Sequence, residues 1–506
     1  MPRFAGPPIF LLLLPLGAGA HPCQSCHPQQ VAAYSHSAMS RSLRRTGGEP
    51  AGSFTDPASG TTFTVRSSHG RTVQIRERGD ERTEYPVAWA VGSGTHAAGY
   101  FIEVAGHLFQ SPICYYTNRR AYGLAPGYEH LPDPNFTRPV GEECVLCHSG
   151  RPLYVRGTAN TYSPPVFADE GISCERCHGP SEQHLRRPIP GSIVNPGKLA
   201  KAARDSVCEQ CHLAGATRIL NPNRSFADFH AGQPLEDVFT VYVRTAAPGT
   251  SRPFKVISHA EQLALSMCVR QSEGRLWCGM CHNPHPVTPA STKIYNAVCG
   301  SCHAGKLAES HPAGPDCVSC HMPRRQAQDG GHTVFTDHRI ARRPETEETG
   351  PPPEDLAPWR EPAPALRQRN LALASVTAGI AVRSPAQIVH GYRLLVEVEK
   401  TSLDDIAVLK GIGRALLLGK QPLEALRAFD RVLQLEPKDA GNEEAAGLAS
   451  LESGQLELAA RHLERAVELD PLLISATTAL QEVYRRQGRN GEAQALAHPL
   501  ERLLQR

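Results

Sequence analysis

Cys317-Val318-Ser319-Cys320-His321 is the last of seven Cys-x-x-Cys-His stretches in this 506-residue chain, and the spacing of its reactive groups decides how the chain is read. Two thiols three residues apart, with an imidazole directly after the second, form the arrangement that fixes a c-type haem. The sulfurs add across two vinyl groups and the histidine ligates the iron. The other six are Cys23/Cys26/His27, Cys144/Cys147/His148, Cys174/Cys177/His178, Cys208/Cys211/His212, Cys278/Cys281/His282 and Cys299/Cys302/His303. The Cys and His frequencies predict about 0.02 such stretches by chance, so seven of them mark a shared chemistry. Fourteen of the sixteen cysteines are used in this way. A zinc or redox Cys-x-x-Cys needs no trailing histidine, which sets those readings aside. The expectation is seven covalently attached haem c groups.

Composition agrees with a cofactor-rich chain. Hydrophobic residues are 40% and Gly and Pro number 43 each, much punctuation for a regular core. Flat apolar macrocycles supply core surface that side chains do not. The formal charge of +3 falls to about −12 once Arg3 leaves with a leader and each ferrous haem adds two propionates. No basic patch interleaved with aromatics points to nucleic acid.

Residues 1–20 read as a secretory signal: Arg3, the apolar run Ile9 to Leu14, then Ala18-Gly19-Ala20 as a small-residue cleavage site. An uncleaved anchor is the alternative, although Pro15 breaks the run. After cleavage no stretch approaches membrane length. The mature chain then starts at His21, in a periplasmic or extracellular setting.

Residues 21–340 are expected to form a haem-rich domain of short helices and loops with a small antiparallel β insertion at about 52–115. Within that insertion, residues 62–66 and 71–76 alternate around Ser68-His69-Gly70, which suits a hairpin. Residues 341–366 are rich in Pro and charge and read as a linker or surface arm crossed by few contacts.

Past about residue 367, Cys disappears and Ala, Leu, Glu, Arg and Gln dominate. A 34-residue period is visible in Gly413 and Gly447, in Ala425, Ala459 and Ala493, and in Pro437 and Pro471. This part, residues 367–506, resembles an all-α tetratricopeptide solenoid with repeats at 406–439, 440–473 and 474–506. Gln481 stands where the third repeat would carry glycine, and a plain helical bundle is the alternative. Such an array suggests docking of a protein or peptide.

The haem segment resembles the multihaem cytochromes c that include the tetrahaem electron carrier of ammonia oxidisers. In detail it is similar to a bacterial group that fuses such a domain to tetratricopeptide repeats. The matching stretches are Ser37-Ala38-Met39-Ser40-Arg41-Ser42, Gly92-Ser93-Gly94-Thr95-His96, Cys174-Glu175-Arg176-Cys177-His178-Gly179-Pro180, Cys281-His282-Asn283-Pro284-His285, and Cys320-His321-Met322-Pro323 with Thr336-Asp337-His338-Arg339-Ile340. The resemblance nominates His96, His184, His259, His285, His311, His332 and His338 as distal iron ligands. His285 follows its motif histidine too closely to fold back under the same iron, so a neighbouring haem is its expected partner. His69, His107, His130 and His230 are expected to be ordinary histidines. Related cytochromes carry a histidine where this chain has Met39. Met39 is therefore either the sixth ligand of the first haem, raising its potential, or a packing residue, in which case His36 takes the ligand role.

Two leftover thiols, Cys114 and Cys268, either pair or stay free. The function expected is an exported heptahaem electron carrier serving redox partner proteins, with bis-histidine iron leaving no place for substrate. The alternative is an oxidoreductase of nitrite-reductase or hydroxylamine-oxidoreductase type with one open haem; the Cys-x-x-Cys-Lys marker of nitrite reductases is absent.

Overall fold

The computed structural model describes residues 22–245, 254–285, 291–303, 316–341 and 355–504. The proposed signal and His311 lie outside the described residues, as does much of the 341–366 stretch.

The N-terminal part is rich in strands, which corrects the expectation of short helices and loops around a small β insertion. Among the described residues eighteen strands form five sheets, all before Arg367. Gly52–Thr55, Thr62–Ser68, Arg71–Arg78 and Glu81–Val87 pair in sequence order as an antiparallel meander. Ser68 faces Arg71 across a two-residue turn, and His69 and Gly70 both have positive φ, 50° and 74°, as a tight hairpin with right-handed strand twist requires. A seven-stranded antiparallel sheet runs from Leu43–Arg45 through Trp89–Val91 and Ala97–Val104 to Arg138–Pro139. The two sheets share one core built from Phe63, Val65, Tyr85, Tyr100, Ile102 and Phe136.

Several strands hide from a period-two reading. Phe239–Arg244 begins with four consecutive buried residues, a pattern that alternation cannot separate from a helix. Tyr162–Asp169 contains two prolines, which argue against a strand when read locally. Leu43–Arg45 and Arg138–Pro139 are three and two residues long. Short helices do carry most of the motifs, namely Glu142–Leu146, Glu175–His178, Lys201–His212, Cys278–Cys281, Thr292–His303 and Cys317–His321.

From Arg367 onward the chain is a helical solenoid of antiparallel pairs. Arg367–Ala381 packs on Pro385–Glu399, Ile406–Leu418 on Pro422–Leu435, Ala440–Glu452 on Leu456–Leu469, and Ile474–Arg486 on Asn490–Ala495. Small residues set the spacing: a Cβ on Gly413 would come within 2.6 Å of the Phe429 ring, and one on Gly447 within 2.6 Å of Leu463 Cγ. The last pair ends in a six-residue helix, and Gln481, at the position of the earlier glycines, is part-buried.

Residues 355–366 are bound by contacts in a stretch expected to have few. Leu356–Pro358 is the third strand of a sheet with Phe239–Arg244 and Thr217–Leu220. Arg360 reaches Glu209 at 2.6 Å and Glu236 at 3.0 Å. The solenoid holds the strand-rich part at both ends. Near its start, buried Asn370 donates to Asn221 and Thr240, and Ile219 and Tyr242 share a core with Leu373 and Val376. Near its end, Leu472 and Leu500 enter the core of the two large sheets, and Tyr85 donates to Glu501 at 2.8 Å.

Candidate haem sites

All seven motifs open onto one continuous cavity of about 3120 Å³, which Cys23, Cys147, Cys177, Cys211, Cys281, Cys302 and Cys317 help to line. A site for one small ligand is about 300–1,000 Å³, so this space suits several large cofactors. None of the fourteen motif cysteines is joined in a disulfide among the described residues. His212 and Cys211 keep accessible surface although protein surrounds them, because that surface belongs to the cavity wall. Burial pushes His212 down to about 4 and His259 to about 3. Both imidazoles are thus neutral at pH 7, the form that binds a metal.

The motifs meet out of sequence order. The Cys23 thiol lies against Cys174, Cys147 against Cys211, Cys208 against Cys278 and Cys299 against Cys317. Tyr295, on the helix of the sixth motif, stands 5.6 Å from the His282 ring of the fifth.

Histidine pairs provide the second observation. Two imidazoles holding one iron from opposite faces, at about 2 Å per metal–nitrogen bond, have ring centres roughly 6 Å apart. His27 and His184 stand at 6.3 Å, His178 and His285 at 5.9 Å, and His282 and His338 at 6.1 Å. His212 and His259 are closer, 5.2 Å with rings nearly perpendicular, and His259 also touches His338 at 4.8 Å. A metal-binding histidine usually anchors its other ring nitrogen. Here Nδ1 of His178 faces Val194 O at 2.8 Å, His184 faces Ser192 Oγ at 2.8 Å, His321 faces Ala341 O at 2.9 Å and His338 faces Thr336 O at 2.9 Å. In His178, His184 and His338 this arrangement would leave Nε2 for an iron. Among the described residues, no group of three or more His, Cys, Asp or Glu side chains could hold a metal ion by itself. The donor set fits covalently attached haem, whose porphyrin provides four ligands itself.

The remaining nominees fall elsewhere. The His96 ring packs on Phe335 at 4.8 Å and His332 on Tyr116 at 5.1 Å. Both lie beside the hairpin Arg324–Gln326/Val334–Thr336 that follows the seventh motif. Met39 lines the cavity and His36 is exposed. His107 spends both ring nitrogens, on Ala105 O and Asp470. Cys114 is buried among Tyr116, Ala125 and Tyr128 while Cys268 lines the cavity, and both are free thiols. Sequence reasoning missed Ser192 and the carbonyls of Val194, Thr336 and Ala341, since an orienting backbone oxygen leaves no mark on residue identity.

No family model matches the chain. The multiheme cytochrome MtrA of Shewanella baltica (strain OS185) is 27% identical over 187 residues, 34% of this chain and 55% of that protein. The chain thus spans about half the length of this curated relative. Among solved structures, MamA from Desulfovibrio magneticus RS-1 is 24% identical, covering 28% of this chain and 78% of that one with a TM-score of 0.24. MamA AMB-1 is 19% identical, covering 27% and 79% with a TM-score of 0.24. The likeness to MtrA is a distant one to multihaem cytochromes, in a chain that also carries a helical-repeat solenoid. No helix of the described residues is long and apolar enough to cross a membrane.

Proposed function

We propose that this chain is an exported, periplasmic or extracellular, c-type cytochrome that holds seven haems and passes electrons along them between redox partner proteins. The observation that carries this reading is the single cavity onto which all seven motifs open, with imidazoles in pairs about 6 Å apart. Haem supplies one-electron exchange at its iron. The chain's part is to hold, orient and cover. The thiols would tether; His27 with His184, His178 with His285, and His282 with His338 would hold three of the irons, and His212 with His259, which stand closer at 5.2 Å, would hold a fourth. Ser192 Oγ and the carbonyls of Val194 and Thr336 fix the ring tautomers. The thiol contacts between motifs give the order of neighbours: first beside third, second beside fourth, fourth beside fifth, sixth beside seventh. The 367–506 array, read as tetratricopeptide repeats, would dock a protein or peptide on surface not already used against the sheets.

Intact mass of protein matured in a host with c-type haem attachment tests the count, and electron paramagnetic resonance tests the ligation. Seven haem additions with mainly low-spin iron are expected. Fewer additions, or predominantly high-spin iron, would overturn the carrier reading.

A further inference from the structure

Met39 does not sit where a ligand of the first haem is needed. His184 already stands 6.3 Å from His27, with the ring planes within 19° of parallel. Its backbone is instead built into the junction between the second motif and the approach to the third. Met39 O accepts from Ser42 N at 3.1 Å and from Ile172 N at 3.2 Å, and Ser42 Oγ donates to His148 O at 2.6 Å. A Cβ on Gly171 would lie 2.0 Å from Ser40 O, so the two backbones touch there. The third motif needs no thioether either, because His285 stands 5.9 Å from His178. Among the described residues no other histidine ring packs against His148. Yet Met39 lines the same cavity as Cys147 of that motif.

We infer that the Met39 thioether is the sixth ligand of the iron held by His148. The inference rests on the haem reading proposed above. A histidine–methionine pair has a higher potential than a bis-histidine pair, so the second haem becomes the electron-rich position when the chain is partly reduced. Its motif touches the fourth through Cys147 and Cys211. The high-potential site therefore lies next to the fourth motif, not at the His27 end.

The test uses the full haem-loaded chain. Near-infrared magnetic circular dichroism should show a porphyrin-to-ferric-iron charge-transfer band at the low energy that histidine–methionine ligation gives, equivalent to one haem. Met39→Ala should abolish it and turn one haem high-spin; Met39→His should abolish it, keep all haems low-spin and lower one potential. The band should vanish with the paired Cys144→Ser and Cys147→Ser substitutions, which delete the second haem, and survive Cys23→Ser with Cys26→Ser, which delete the first. If the cysteine variants do not accumulate, His148→Ala and His27→Ala make the same comparison: the band should be lost with the first and survive the second. A band that survives loss of the second haem, or potentials and spectra untouched by Met39→His, would overturn the inference. A chain that takes up no haem would instead sink the carrier reading itself.

Discussion

The His27 and His184 rings lie parallel to within 19° with centres 6.3 Å apart, although 157 residues separate them in sequence. We predict that His184→Ala leaves one haem five-coordinate. Resonance Raman should report about one seventh of the iron as high-spin, with the haem count by mass unchanged. Ser192→Ala removes only the Nδ1 anchor, so it should shift that haem's potential while keeping it low-spin. An unaltered spin state in His184→Ala would show that another group fills the position.

His107 and Asp470 join the sheets to the solenoid through a 3.0 Å bond from Nε2 to Oδ1. Burial alone would lower the pKa of His107, but the hydrogen bond and charge of Asp470 outweigh it and raise it. A raised pKa means the contribution is fully present below the ordinary histidine value of about 6.5 and is lost as pH rises through the folded value. The reason is visible in the bonds: neutral imidazole has one N–H and cannot donate to both Ala105 O and Asp470. We expect Asp470→Asn to lower stability at pH 6 by about 1.5–3 kcal/mol and to flatten the loss seen toward alkaline pH. Urea melts across that range measure both.

Arg360 faces Glu209 and Glu236, three charges largely withdrawn from water next to the fourth motif. Burial pushes Glu209 up despite its arginine. Arg360→Ala leaves two carboxylates uncompensated, a change that costs about 3–5 kcal/mol. Chemical denaturation of the haem-loaded protein checks it, with Arg367→Ala as the exposed control.

Truncation near Arg343 should not be neutral. It removes Leu472 and Leu500 from the core of the large sheets and the solenoid face from Ile219 and Tyr242. Leu500→Ala alone should cost about 2–5 kcal/mol. The truncated chain is expected to accumulate less haem-loaded protein and to be cleaved faster by protease at the exposed sheets.

The candidate haem-attachment motifs were legible in the sequence because thioether chemistry demands two thiols and an imidazole on one short segment, whatever the fold around them. The 34-residue period was legible for a similar reason, since each helix pair repeats the same close packing, as Gly413 against Phe429 and Gly447 against Leu463 show. The hairpin at His69-Gly70 is likewise local. Axial partners are a different matter. His184, His285 and His338 stand near His27, His178 and His282 from tens to more than a hundred residues away in sequence, and no spacing rule links them. Strands such as Phe239–Arg244 were hidden because burial on both faces erases alternation. The clasp of the solenoid on the sheets was decided only by the tertiary structure, because Leu472, Leu500 and Asp470 look like ordinary repeat residues until Phe63, Tyr85 and His107 are brought against them.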